Sequence, residues 1–399
     1  MLYIQGILFL LLLLIGYYKG YITLLFSFSI SAFSLFGAVY DLFKLVEGYT
    51  IILWLLIMTV LIFLDLYRKG FKLKPFQKRE EFLEIFQGFW PWMLFLGYLL
   101  LQTFIIGNNY GLFKIGVSIL QGLLPAGLFL FYLLCSNRDI GREKSNLEDI
   151  LFYFGLILSV MTIIAFFISN SSRTVVLGMN PIWLARDIAI AAIALFLSER
   201  KISLKMVYLP VLLAGIYFTG SRGPMLSLLF VLLLMALYSF MKNHSFRKYL
   251  PYLLILFLLV SFSGYHFFAE DFLLRGSESV FAENSAGTRL KLYQQALENF
   301  KDYPLFGSGF GTYSFSDRFN YPHNQFLELM AEGGIIALLL FIYALKPWMT
   351  LHIKYSYSYF LIFALLSSML SGDLAKNSFI IPLALLVLFE THSKKKVLS

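Results

Sequence analysis

The sequence predicts an all-α, polytopic integral membrane protein: a helix bundle of 12 to 13 spans, with one long extracytoplasmic loop that carries a short amphipathic helix. Three observations predict it. Of the 399 residues, 59% are hydrophobic and only 14% charged, whereas a soluble chain needs roughly 25% charged residues to cover its surface. The apolar residues gather in runs long enough for a bilayer core of about 30 Å, which takes around 20 residues at about 1.5 Å each. The basic residues fall between those runs, with Arg186 the exception.

The candidate spans lie near 2–17, 20–40, 49–66, 88–106, 115–135, 150–169, 181–198, 206–219, 224–240, 249–268, 324–345, 356–372 and 377–390. Several are short, and 206–219 crosses only if the turn at Arg222 dips into the membrane. The whole chain, residues 1–399, reads as a single transmembrane domain, with no soluble domain or internal repeat. The first run lacks a charged leading segment, and Gly16-Tyr17-Tyr18 is a poor cleavage site, so it is expected to remain in the mature chain. The lone Cys135 excludes a disulfide framework and a cysteine-based metal cluster.

Orientation follows from lysine and arginine, because basic segments resist translocation. Six basic residues fall in 67–87, three in 137–149, three in 199–205, three in 241–248, two in 346–355 and three at Lys394–Lys396, which is 20 of the 32. Alternation of the spans puts all six segments on one side, the cytoplasmic one. The net charge of +9 is therefore topological and implies no nucleic-acid partner. With thirteen spans the N-terminus lies outside; with twelve, both termini lie inside.

Residues 269–322 break the pattern. They form a polar, turn-rich extracytoplasmic loop with five basic and seven acidic residues. Connections of this length between spans usually carry function. Within it, Thr288 to Phe300 reads as a helix with Leu290, Tyr293, Leu297 and Phe300 on one apolar stripe, lying on the outer membrane surface. Gly307-Ser308-Gly309-Phe310-Gly311 follows. It lacks the Lys-Ser or Lys-Thr of a phosphate loop and a preceding strand, so it reads as a turn that needs unusual backbone dihedrals.

Pro322 suits the first position of a helix, which places His323 and Asn324 in the first turn, where free N–H groups and the positive dipole end favour an anion. Glu328 and Glu332 are four apart and share a face. Inside a span they need a partner, usually an arginine or a polar cavity. His323 and Glu328 point about 140° apart around a helix, which makes a poor metal set.

Arginines mark the same side. Arg222 lies in Thr219-Gly220-Ser221-Arg222-Gly223-Pro224, a broken helix with no nearby acid, and Arg186 lies beside Asp187, its simplest local partner. Guanidinium groups at outer-leaflet depth suit an anion with several oxygens, since the planar fork binds phosphate bidentately. A lipid-linked pyrophosphate meets both requirements, its tail in the bilayer and its charge at the arginines.

His323-Asn324, followed nine residues after the histidine by Glu332 and then Gly334, and preceded by Arg289 and by Asp302-Tyr303-Pro304-Leu305-Phe306-Gly307-Ser308-Gly309, resembles the O-antigen ligase and polymerase family. Thr219-Gly220-Ser221-Arg222 is similar to that family's Ser-Arg element. The resemblance covers roughly residues 205–345. It implies a glycosyltransferase of the inner (cytoplasmic) membrane with its active site facing outward. The donor would be an undecaprenyl-pyrophosphate-linked glycan, the acceptor a glycan, lipid or protein, with membrane lipid around the chain and no cofactor, nucleotide sugar or metal. It implies that Arg222 and Arg289 hold the pyrophosphate and that His323 serves catalysis. The placement of the arginines adds Arg186 as a third pyrophosphate-binding cation, and Asn324, Glu332 and Ser221 are expected to support the site.

The chemistry is compatible. Displacing pyrophosphate from an anomeric carbon develops negative charge that arginines stabilise, and a histidine can take the acceptor's proton. The paired-carboxylate glycosidase mechanism fits poorly, because Glu328 and Glu332 share one helix and cannot flank a bond. A polysaccharide or lipid-linked glycan flippase is the competing class. Transporters often place broken helices in both halves near the midplane, whereas here the charged features gather in the second half at one face.

Overall fold

The computed structural model describes residues 14–31, 47–68, 79–136, 140–169, 179–242, 286–315, 320–349 and 356–398, with the isolated positions 11, 174 and 176. The predicted run at 249–268, most of that at 2–17, the end of that at 20–40, and loop positions 269–285 and 316–319 lie outside the described residues. Among the described residues the regular structure is helical throughout, with no strand.

In chain order the helices are α1 (Tyr21–Ser31), α2 (Glu47–Arg68), α3 (Arg79–Ile106), α4 (Asn109–Val117), a π-helical turn (Ser118–Leu123), α5 (Leu124–Cys135), α6 (Ile140–Ser169), α7 (Pro181–Leu197), α8 (Ile202–Phe218), α9 (Arg222–Lys242), α10 (Ala286–Asp302), α11 (Gln325–Met349), α12 (Ser356–Leu370) and α13 (Ile380–Leu398). Six segments of these, among them Asn109–Cys135 and Gln325–Lys346, are long and apolar enough to cross a membrane. The chain is a multi-pass helical membrane protein.

Without a hydrophobic drive between helices in lipid, close packing depends on small residues. α7 supplies them, with Ala185, Ala189, Ala191, Ala192 and Ala194 all buried. Gly155 of α6 meets that face so closely that an added Cβ would lie 2.3 Å from the Ala191 side chain. On the other flank, Trp92 and Phe95 of α3 stack around Phe341 of α11, with ring centroids 5.9 and 5.4 Å away.

The segment after α10 shapes the architecture most. α11 is broken at Gly334, which has φ 69° and ψ −170°. The freed backbone groups need partners, because lipid offers none. The incoming loop supplies them: Ile335 N donates to Pro304 O at 2.9 Å, while Ser308 N and Gly309 N donate to Ala331 O and Glu332 O, each at 2.9 Å. Gly307, Gly309 and Gly311 all have positive φ, and a Cβ on Gly307 would strike the Glu332 carbonyl at 2.3 Å. Tyr98 Oη of α3 donates to Gly333 O at 2.9 Å, and the Gln102 amide donates to Phe306 O. The glycine-rich stretch is thus a structural turn threaded into a helix break.

α10 extends beyond the predicted Thr288 to Phe300, and its buried face differs from the predicted stripe. Leu292 and Ala296 pack with Tyr313 and Ala331, with Tyr293 and Leu327 alongside, while Leu290 and Leu297 are exposed. The loop and α11 cover one side of the helix, so burial follows that contact and leaves the broader apolar stripe facing outward. Arg289 stands three residues before Leu292 and seven before Ala296, on the covered side.

Candidate functional site at one end of the bundle

The polar residues that the sequence singles out collect where α4, α7, α9 and α11 begin and α12 ends. α7 starts on Asn180, whose side chain accepts Ile182 N at 2.9 Å, with Pro181 at the first helical position. That start holds Arg186 in the bundle, 3% exposed. The expected local ion pair with Asp187 is not where its hydrogen bonds go. Nε donates to Ser367 Oγ at 2.6 Å, and one terminal nitrogen donates to the Ser367 and Ser371 carbonyls at 2.9 and 2.7 Å. Both carbonyls lie where α12 ends and helical partners run out, although Ser367 O also accepts Ser371 N at 3.2 Å. The other terminal nitrogen, Nη1, is buried and has no hydrogen-bond partner among the described residues.

His323 is not in the first turn of α11, and Pro322 is not its first residue. The helix begins at Gln325 with Asn324 as its cap, the side-chain oxygen accepting Phe326 N at 3.0 Å and Leu327 N at 3.2 Å. A cap oxygen satisfies amides that a proline one turn earlier would leave open. His323 therefore precedes the helix, in left-handed backbone with φ 57°, a conformation uncommon for residues other than glycine. Such strain persists where surrounding structure enforces it. Its ring lies 4.5 Å from that of Tyr321.

Burial, and then the nearby charges of Arg289 and Lys376, push the His323 imidazole down to about 4, against a smaller opposing pull from Asp373. The ring is neutral at ordinary pH and faces two cations. Lys376 donates to Tyr321 Oη at 3.0 Å and stands 3.9 Å from Asp373 Oδ2. Asp373 also accepts the Tyr110 hydroxyl at 2.9 Å. Histidine, tyrosines, lysine and aspartate thus form one contiguous group contributed by three separate segments.

Arg222 opens α9 directly after the break at Thr219-Gly220-Ser221, where Gly220 has φ 67°. Gly223 abuts Leu370 at the end of α12, so Arg222 starts its helix at the same end as Arg186. Ser221 is buried, its amide donating to Thr219 Oγ1 at 3.1 Å, and its hydroxyl has no hydrogen-bond partner among the described residues.

Glu332 belongs to a different group. It and Glu328 are fully buried with Lys114 of α4, whose ammonium is 2.5 Å from Glu328 Oε1 and 3.0 Å from Glu332 Oε2. The partner is a lysine where an arginine was the usual expectation. Glu332 also accepts Gly311 N at 2.9 Å and Tyr313 N at 3.0 Å, and Glu328 accepts Leu374 N at 2.9 Å. These carboxylates hold the threaded loop and the turn that carries Asp373.

Residues 207–342 match the O-antigen ligase family (Wzy_C). The stretch matching that O-antigen ligase model begins in α8 and ends in α11, and it contains Arg222, Arg289, His323, Asn324 and Glu332. Arg186, Lys114, Asp373 and Lys376 lie outside it. No curated relative matches the chain. The family resemblance of the sequence stands on that matched stretch, which is less than half of the chain.

Sequence reasoning missed Lys114, Tyr110, Asp373 and Lys376. One signal marks the two lysines: on the predicted topology each lies on the side that the positive-inside rule leaves poor in basic residues, as do Arg186, Arg222 and Arg289.

Proposed function

We propose that the protein transfers an oligo- or polysaccharide from undecaprenyl pyrophosphate to an acceptor hydroxyl at the outer face of the cytoplasmic membrane. In this reading the chain has 12 to 13 spans, and the end bearing His323 faces outward. The acceptor oxygen bonds to the anomeric carbon while the bond from that carbon to the pyrophosphate oxygen breaks. Undecaprenyl pyrophosphate leaves, and the hydroxyl proton passes to His323.

The observation that carries the reading is the convergence of a neutral, half-buried His323 with Arg289, 34 positions earlier in the chain, close enough for the arginine to depress the imidazole. A neutral imidazole can accept a proton. Arg222 and Arg289 bind the pyrophosphate through guanidinium forks, with Arg186 as a third cation, and their charge stabilises the leaving group. Asn324 and Glu332 support the site by fixing the start of α11 and the loop, and Ser221 by its place before Arg222.

Transfer measured with purified protein in nanodiscs, an undecaprenyl-pyrophosphate-linked glycan and a candidate acceptor tests this. Arg222→Lys and Arg289→Lys keep charge but lose the fork. A charge-assisted hydrogen bond is worth roughly 1.5 to 3 kcal/mol, so each variant is expected to lose about tenfold to a hundredfold. Near-normal transfer by both would remove the bidentate role. Movement of intact glycan-lipid across the bilayer without bond cleavage would establish a flippase instead. In a deletion strain, shortened surface glycans mark a polymerase and unattached long chains a ligase.

A further inference from the structure

Lys376 lies in the turn between α12 and α13 and belongs to none of the family motifs. Its ammonium stands 4.1 Å from the centre of the Tyr321 ring and 6.0 Å from that of Trp183. Its hold on Asp373 is loose: at 3.9 Å the pair is an ion pair without a hydrogen bond. Asp373 is already engaged, accepting the Tyr110 hydroxyl on Oδ2 and the Lys376 backbone amide on Oδ1, both at 2.9 Å. The ammonium therefore keeps donors to spare.

The same lysine lines a cleft with Arg186, Asp187, Trp183, Ser378 and Phe379. Arg186 brings to it a guanidinium whose Nη1 has no hydrogen-bond partner among the described residues, on a residue 3% exposed. Buried donors are almost always satisfied; one left open at a cleft calls for an acceptor from outside. Two cationic donors with hydrogens to spare at one cleft suit an anion with several oxygens.

We propose that Lys376 is a further donor-binding residue, and that its ammonium and Arg186 Nη1 together form a subsite for a phosphate oxygen of the lipid diphosphate. The inference rests on the donor reading above and adds a ligand to it. Lys376 joins the two halves of the site, since it neighbours His323 on one side and Arg186 on the other. A phosphate oxygen placed there bridges them, drawing the ammonium from its loose contact with Asp373.

Binding of undecaprenyl diphosphate, without glycan, to the full chain in nanodiscs tests the subsite. Lys376→Met and Lys376→Gln are expected to weaken binding about tenfold or more, the loss of one charge-assisted hydrogen bond, and Lys376→Arg to stay within about threefold. Gln retains a donor for Tyr321, so an effect shared by Met and Gln is not a loss of that contact. In the wild-type protein, undecaprenyl diphosphate should also protect Lys376 from acylation by an amine-reactive reagent, read by mass spectrometry, which needs no variant to fold. Unchanged binding by both variants, with Arg289→Gln impaired and Lys376 unprotected, would overturn the subsite and leave the donor reading standing. Failure of the wild-type protein to bind undecaprenyl diphosphate would overturn the donor reading itself.

Discussion

The two ends of the bundle treat their charges in opposite ways. At the end formed by the start of α6, the start of α12 and the end of α13, cations meet carboxylates. Asp149 is held by both Lys19 and Arg200. Lys144 binds Glu390 at 2.6 Å and Ser356 Oγ at 2.8 Å, while Glu390 also accepts Tyr357 N at 3.1 Å. At the His323 end, Arg186 spends its hydrogen bonds on a hydroxyl and two carbonyls, and Lys376 keeps its acid at 3.9 Å. Among the described residues Arg289 makes no ion pair. Paired charges hold helices together; cations kept from full pairing are available to a ligand.

If that contrast is functional, the largest effect should come from His323. General-base assistance typically contributes about 10² to 10⁴ in rate. His323→Ala is expected to lose transfer to that extent while the protein stays monodisperse in detergent, because the ring precedes α11 and the helix is capped by Asn324. Measurable transfer near the wild-type rate would take the histidine out of the chemistry. Transfer abolished by EDTA and restored by Mg²⁺ or Mn²⁺ would replace the metal-free reading.

The buried Lys114 group sharpens the comparison from a third place, because it is paired like the far end yet lies beside the site. Removing one partner of a buried ion pair costs roughly 3 to 5 kcal/mol, since the other charge is left uncompensated. Lys114→Met leaves two carboxylates facing each other and releases the loop through Glu332 and the Asp373 turn through Glu328. A large fall in melting temperature is expected, with activity lost alongside. A stable Lys114→Met protein with normal transfer would show that neither loop nor turn depends on this group.

How far the site was legible in the sequence follows from the separation of its parts. Arg289, His323 and Glu332 fall within one stretch whose spacing carries the family pattern, and Arg186 and Arg222 stand out as charges in apolar surroundings. Lys114 pairs with Glu328 across 214 positions and Tyr110 with Asp373 across 263; periodicity reports on neighbours along a helix and is silent at such distances. Asn324 and His323 were displaced by one local rule, proline at the helix start, that lost to another, the asparagine cap. The stripe of α10 was misjudged because a helix with apolar residues on two sides does not announce which side the fold covers.

The pH profile tests the electrostatics of the His323 end. Its imidazole is lowered to about 4, by burial first and then by Arg289 and Lys376, with Asp373 opposing. As pH falls through that value the ring takes a proton and loses its function as a base, so kcat/KM should drop on an acid limb near 4. Arg289→Gln removes a repelling cation, so the limb moves upward, toward the ordinary histidine value near 6.5. The unfolded chain binds the proton more readily than the folded one. The stability that His323 leaves intact above about 6.5 therefore declines as pH falls toward 4. A limb that stays in place in Arg289→Gln would mean that the arginine does not act on the imidazole.

The smallest effect is expected at the far end. Lys19 is partly exposed and shares Asp149 with Arg200, so Lys19→Met leaves the carboxylate with its second partner. Partly exposed ion pairs are worth about 0 to 1 kcal/mol, and the melting temperature should fall only slightly. Transfer should be unchanged, because no described contact links Asp149 to the group around His323. The informative comparison is with Arg289→Gln, which also removes a single positive charge: that variant should leave melting nearly untouched and depress transfer, the reverse weighting. Should Lys19→Met impair transfer as strongly as Arg289→Gln, the division into a paired, structural end and an open, ligand-binding end would not hold.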